Sequence, residues 1–221
     1  MSRLRGYLHD LRTLPGDARL AYGLEGLEGA WKAVASRSIH RVIRRGRLIV
    51  YAHNVDALVD SAPPQGVRIA LARDEDLPAL ASLVGQRELQ RFYRLLAAGR
   101  QCLVAWRGEA AVGYAWVAHP IGPDVAPWPL PLTFPSTAAY LWNLYVLPSE
   151  RSSGIGSALA VARLRVTRDA GLREGWRMVA PSNAPSLRTV RKSSTTARMV
   201  GEISFVQLLG RTYAWFTPGH G

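Results

Sequence analysis

Apolar residues near the start of the chain recur with helical spacing. Leu4, Tyr7, Leu8 and Leu11 fall at i, i+3, i+4 and i+7, with Arg3, Arg5, His9 and Arg12 between them. This predicts a basic amphipathic helix that stops at Pro15-Gly16. A second helical stripe, Leu20, Leu24, Leu27 and Trp31, is interrupted by Gly23, Gly26 and Gly29. Each glycine costs about 1 kcal/mol of helix propensity, so this helix requires tertiary support. The period then changes. Arg41-Val42-Ile43-Arg44 and Leu48-Ile49-Val50-Tyr51 flank Arg45-Gly46-Arg47, which predicts strand, turn and strand, a basic hairpin. Residues 1–60 thus form an N-terminal extension. Residues 61–66, Ser-Ala-Pro-Pro-Gln-Gly, form a linker, because adjacent prolines and a glycine oppose both helix and central strand.

A domain is expected over residues 67–217. The pattern predicts a strand from Val67 to Leu71, a helix from Glu75 to Val84 capped by Asp74, and a second helix from Arg87 to Ala98 ended by Gly99. Gln101 to Trp106 and Ala110 to His119 form a hairpin across Arg107-Gly108-Glu109. A proline-rich loop follows, long enough to suggest a functional or mobile segment. Next come a strand from Ala138 to Leu147, a helix from Gly154 to Ala170, a strand from Trp176 to Ala180 and a helix from Asn183 to Lys192. Strands over Gly201 to Leu209 and Thr212 to Phe216 close the chain. This order is α/β, with helices covering a mixed sheet, and names no function by itself.

With 48% hydrophobic and 20% charged residues in 221, the chain can build a sizeable core, which excludes a disordered or collagenous protein. Cys102 is the single cysteine, so no internal disulfide forms and a reducing compartment fits best. The longest run of apolar residues is five, Leu48 to Ala52, against the roughly 20 needed to span a bilayer. No secretory pattern is evident, and the cytoplasm is the expected location. Twenty-eight Lys+Arg against 16 Asp+Glu leave a net charge of +12, which attracts polyanions, anionic membranes or a phosphate-rich ligand without choosing among them. Lysine occurs only at Lys32 and Lys192, and the arginine bias suits bidentate phosphate contacts as well as it suits a GC-rich genome. No zinc-finger, basic-zipper or RNA-binding strand signature is present, so nucleic acid is a minor expectation.

The sharpest local signal runs from Val146 to Leu159, between a strong strand and a strong helix, and contains Arg151-Ser152-Ser153-Gly154-Ile155-Gly156-Ser157. The first N–H groups of a helix lack intrahelical partners and the dipole adds positive charge, so an anion is attracted there. Glycines allow close approach, and Arg151 supplies a permanent cation suited to a pyrophosphate. A P-loop is excluded, since Ser157-Ala158 follows Gly156 with no lysine. A dinucleotide fingerprint is excluded too, since Leu159 stands at its third glycine and the next strand ends at Ala180-Pro181 without an acid. The pattern alone leaves a tight strand-to-helix turn and an anion site both open.

Arg151-x-x-Gly154-x-Gly156, the strand Leu141 to Pro148 before it and Asn183-Ala184-Pro185-Ser186 after the next strand resemble the GCN5-related N-acetyltransferase (GNAT) superfamily over residues 67–217. The resemblance implies a mostly antiparallel mixed sheet flanked by helices, with acetyl-CoA or another acyl-CoA as co-substrate and no metal. It implies that the N–H groups of Arg151, Ser152, Ser153, Gly154, Ile155, Gly156 and Ser157 hold the pyrophosphate. Leu144 and Val146 would bond the pantetheine through main-chain groups, the side chain of Asn183 would bond the pantetheine arm, and Ser186 would lie near the pyrophosphate or the thiol end. A strand N–H would stabilise the oxyanion. Asn183 is equally a good helix cap.

The chain departs from the family at the leaving group. Many relatives carry a tyrosine seven residues after the Asn, where this sequence has Val190. Candidates for the base are His119, whose type titrates near 6.5, and Tyr140 and Asn143 at positions where some relatives carry an acid, with Glu88 a weaker choice. Trp128 in the proline-rich loop is a candidate cap for an acceptor channel, whereas Cys102 reads as packing.

The expected function is transfer of acetyl from acetyl-CoA to a primary amine by direct attack, the alternative being a CoA-binding regulatory or scaffold protein with degenerate catalytic groups. The expected partner is a small-molecule or peptide amine, anionic if the charge is a guide. A second copy of the chain and peripheral membrane contact through the basic N-terminal region are further candidates. That region otherwise packs onto the acetyltransferase core.

Overall fold

A computed structural model describes residues 43–59, 61–122, 125–126, 129–208 and 211–219. The helices expected over 4–11 and from Asp17 to Trp31 lie outside them, as does Trp128. The first described element is β1 (Ile43–Asn54), a single strand of 12 residues. This corrects the expected hairpin, because Arg45-Gly46-Arg47 continues the strand. Gly46 is there for close approach, not for turning: a Cβ on it would stand 2.5 Å from Cζ of Phe205. A glycine flanked by arginines carries the same local signal in either case, and only the distant ring distinguishes them.

The sheet runs in the order β2-β3-β4-β5-β6-β1-β7-β8. Its other strands are β2 (Val67–Leu71), β3 (Gln101–Arg107), β4 (Ala110–Ala118), β5 (Ala138–Val146), β6 (Glu174–Val179), β7 (Arg198–Leu208) and β8 (Arg211–Pro218). The described helices are α1 (Leu77–Ala97), α2 (Ile155–Asp169) and α3 (Ala184–Ser193). The chain divides into a larger compact unit, Arg47–Ser204 with Trp215–Gly221, and a smaller one, Met1–Gly46 with Phe205–Ala214. Most of β1 belongs to the larger unit and pairs antiparallel with β6 from Ile49↔Val179 to Asn54↔Glu174. Segment 61–66 therefore joins two strands of one sheet instead of separating two folding units.

The two helical patterns expected over 75–98 are both present. They meet at Gly85, whose left-handed backbone (φ 72°, ψ 163°) breaks α1. The capping carboxylate is that of Asp76, which accepts from Arg73 N at 2.8 Å, and not that of Asp74. The sheet has an apolar cluster on each face. With α1 pack Val104, Tyr114, Trp116, Tyr140 and Trp142, and Phe92 sets its edge on Tyr114 at 5.0 Å and on Trp116 at 4.9 Å. With α2 pack Leu103, Ala115, Val117, Leu141 and Val146. Leu159, where a dinucleotide fingerprint needs its third glycine, is wholly buried in that second cluster. Burying such a leucine is worth about 1.5–3 kcal/mol, so α2 is held to the sheet by its own apolar face.

Candidate functional site

Strand β5 runs parallel to β6 for three pairs only: Ala138↔Glu174, Ala139↔Gly175 and Tyr140↔Trp176. Beyond Tyr140, among the described residues, β5 keeps only its β4 partner. It pairs there through Leu141↔Val117, Trp142↔Trp116, Tyr145↔Tyr114 and Val146↔Gly113. One edge of β5 is thus left with ladder groups that no neighbouring strand satisfies. Within this stretch the register shifts between Tyr114 and Trp116, so that Asn143 and Leu144 together oppose Ala115. Asn143 takes up the bulge in a left-handed conformation (φ 48°) and is exposed. Bulges of this kind re-aim backbone groups and recur beside functional sites.

The chain leaves β5 through a braced turn. Leu147 N donates to Val112 O at 2.9 Å, and Pro148–Glu150 form one 3-10 turn. Arg107, at the end of β3, grips the Glu150 carboxylate in a fork (Nε–Oε1 3.0 Å, Nη2–Oε2 2.8 Å), which holds that carboxyl below its usual range. Arg151 Nε donates to Val146 O at 3.2 Å, tying the turn back to the strand end. Ser152 (φ 65°) and Gly154 (φ 94°) are both left-handed. Helix α2 begins at Ile155, and its first backward bond is Ala158 N to Gly154 O at 3.0 Å. The N–H groups of Ile155, Gly156 and Ser157 donate to no helical carbonyl one turn behind them, a geometry that can receive an anion. A Cβ on Gly156 would lie 3.8 Å from Val146 Cγ2 and 4.0 Å from Leu144 Cδ2. Leu144 and Val146 therefore lie against the first turn of α2.

Asn183 does act as a cap, accepting from Ser186 N at 3.1 Å to start α3. Its side-chain oxygen is engaged locally.

The three catalytic candidates fare differently. Tyr140 is buried and stacks on Trp142 at 5.8 Å and 2°. Burial pushes its phenol up to about 12, against a smaller opposing effect of Arg163, so it packs and cannot serve as a base. Asn143 offers an amide at the bulge and bonds the phenol of Tyr114. That phenol is pushed up to about 12 chiefly by burial, then by the charge of Glu88. His119 is exposed, with Nδ1 3.3 Å from Ala138 O; donation to that carbonyl leaves Nε2 its lone pair. It lines a cavity of about 380 Å³ with Ile121, Leu132 and Phe134. Because Ala118 pairs with Tyr140, His119 stands about 13 Å along the strand from the bulge, beyond direct hydrogen-bond reach. The carboxylate of Glu88, half-buried and bound by Arg91 at 2.9 Å, is the charge that reaches Tyr114 beside the bulge. Cys102 is fully buried with its thiol pushed up by burial, as a packing residue should be.

Sequence reasoning missed a group on the α2 side. Arg163 (3% exposed) and Arg177 (4%) are buried beside the fully buried His53. Arg163 follows Leu159 by four residues and precedes Thr167 by four, so it falls on the buried stripe of α2, a signal present in the sequence. Among the described residues no three His, Cys, Asp or Glu side chains converge as a metal site, and no helix is long and apolar enough to cross a membrane.

Comparison with known proteins gives a consistent picture. Among the solved structures that share the fold are the following three. A GNAT-family acetyltransferase from Colwellia psychrerythraea (TM-score 0.53, 14% identity) covers 79% of this chain, which aligns with 57% of it. A conserved protein of unknown function from Staphylococcus epidermidis (TM-score 0.53, 14% identity) covers 79%, aligning with 65% of that chain. The glucosamine N-acetyltransferase region of a fungal multi-domain GH3 β-N-acetylglucosaminidase (TM-score 0.52, 13% identity) covers 84%, aligning with 22% of that chain. The chain spans less than two thirds of the length of each. No curated protein matches it by sequence. Residues 66–193 match the family described as Acetyltransferase (GNAT) family, and the chain belongs to that family.

Proposed function

We propose that the protein is an acyl-CoA-dependent N-acyltransferase that moves acetyl from acetyl-CoA to a primary amine by direct attack within a ternary complex. One observation carries this reading: the edge of β5 that loses its partner leads directly into a helix turn with unbonded N–H groups. In this reading the pyrophosphate takes the N–H groups of Ile155, Gly156 and Ser157, with the exposed charge of Arg151 beside them. The pantetheine amides complete the free edge of β5 between Leu144 and Val146. The thioester carbonyl then lies at the bulge, where a backbone N–H stabilises the developing oxyanion.

The attacking amine must first lose a proton. Glu88, whose charge acts on Tyr114 beside the bulge, is the group assigned as base, acting through water. Acetyl-CoA titrated calorimetrically should bind, and a panel of amines should include one that releases free thiol. No heat of binding rejects the site, whereas binding without turnover across the panel favours a CoA-binding regulatory role. Glu88→Gln should lower kcat by about 10²-fold or more. An unchanged kcat assigns the proton to another group.

A further inference from the structure

Two guanidinium groups lie under the sheet where β5 and β6 separate. Arg163, on α2, donates Nη1 to Trp142 O at 3.3 Å, one residue before the bulge. Its Nε has no partner among the described residues. Arg177, one residue past the last β5–β6 pair, donates Nε to His53 Nε2 at 2.8 Å and Nη2 to Ser193 Oγ at 2.8 Å. Ser193 Oγ in turn reaches the carbonyls of Thr189 at 2.8 Å and Val190 at 3.3 Å, so Arg177 stands against the last turn of α3.

These partners include no carboxylate. Among the described residues, the titratable groups facing the pair are His53 and Tyr51 from β1 and Tyr140 from β5. His53 is driven down to about 3 by burial and then by the two arginines, so it is neutral. Tyr140 is neutral as well. Burial lowers Arg163 to about 10 and Arg177 to about 9, the latter also through Arg163, so both are still charged at neutral pH. Among the described residues no carboxylate faces them, and two like charges kept buried without a counter-ion are costly unless a ligand supplies the negative charge.

We propose that Arg163 and Arg177 stabilise the coenzyme A sulfur as a thiolate when it leaves the acyl group. The inference rests on the acetyl-CoA reading above. In the transfer, the lone pair of the neutral amine forms the C–N bond and the C–S bond breaks with its electron pair on sulfur. The proton lost from nitrogen passes to the base and then to water. Sulfur therefore needs either a proton or a positive field. Val190, buried on α3, has no dissociable proton, and the Ser193 hydroxyl is directed to helix carbonyls. The arginine pair supplies the field.

The test is the thiol pKa of free coenzyme A bound to the protein, followed by ultraviolet absorbance of the thiolate, and it requires no acceptor. In the wild-type complex it should lie at least about one unit below that of unbound coenzyme A, a tenfold larger thiolate fraction at a given pH. Arg163→Gln and Arg177→Gln should each return it toward the unbound value. Arg168→Gln, exposed on the same helix, should not. Melting by circular dichroism identifies a variant that fails to fold, and the wild-type value decides even then: a thiol as weakly acidic as in water overturns the proposal. So does a folded Arg163 and Arg177 double variant that keeps the depressed value. Absence of coenzyme A binding overturns the acetyl-CoA reading itself, a separate outcome seen by calorimetry.

Discussion

Gly156 offers a way to separate folding from ligand binding. Its backbone is helical, not left-handed, and a Cβ would meet Val146 Cγ2 and Leu144 Cδ2 at ordinary contact distances of 3.8 and 4.0 Å. The fold therefore has no need of a glycine there. Gly156→Glu removes a helix-weakening residue, worth about 0.5–1 kcal/mol, and places an acid in the first turn, worth about 0.3–1 kcal/mol against the dipole. Together these predict a melting temperature raised by about 2–6 °C for a chain of this size. The same carboxylate occupies the positive nest. Against one pyrophosphate charge at about 5 Å and an effective dielectric of about 20, repulsion is about 3 kcal/mol, a loss of affinity of about a hundredfold. Thermal unfolding and calorimetric titration with acetyl-CoA on one preparation give both numbers. A variant that melts no lower than the wild type and binds acetyl-CoA within threefold of it would refute the anion nest. A lowered melting temperature would show that the fold itself uses the glycine.

Gly154 should behave in the opposite sense: at φ 94° an alanine is strained by about 1–2 kcal/mol, so Gly154→Ala should melt several degrees lower. The Arg107–Glu150 fork predicts an acid limb for acetyl-CoA affinity. Glu150 is depressed in the folded state, so its bracing is complete above the ordinary glutamate range and is lost as pH falls below it. Arg107→Gln should bind more weakly at neutral pH and show a flatter acid limb in the same titration. His53 gives a stability prediction. Depressed to about 3 in the fold against an ordinary 6.5, it favours folding fully above pH 6.5, and that contribution drains away as pH falls toward 3. Denaturant titrations should show about 2 kcal/mol lost between pH 6.5 and 5, and His53→Gln should flatten that decline; an unchanged slope rejects a buried neutral imidazole.

Much of this was legible because it is local. Gly85 between two helical stripes, the proline-bounded loop before β5, and the strand-turn-helix around Arg151 each announce themselves within a dozen residues. What was not legible depends on partners far along the chain. Gly46 looks like a turn until the ring of Phe205, more than 150 residues later, fills the place of its side chain. Tyr140 looks like a candidate base until burial and its stack on Trp142 raise its phenol out of use. The distance of His119 from the bulge follows from the pairing of Ala118 with Tyr140, a register that no pattern within either strand determines.

The net charge of +12 resolves differently once its arginines are placed. Arg47, Arg73, Arg91, Arg107, Arg168 and Arg198 each contact a carboxylate. Arg100, buried, donates to Pro120 O and anchors the proline-rich loop; Arg163 and Arg177 are buried under the sheet. Arg100, Arg163 and Arg177 are thus committed to the interior, where they cannot meet a polyanion at the surface, and the paired arginines are already offset by their carboxylates in the net charge. Long-range attraction to nucleic acid requires exposed, uncompensated charge in a row, whereas a diphosphate requires only a nest of N–H groups with one accessible cation beside it. In the proposed reading the turn at Arg151 fills the second requirement, its Nε holding Val146 O while the residue is exposed. Composition alone could not weigh these alternatives, because it counts an arginine under the sheet and one beside an anion nest as the same charge.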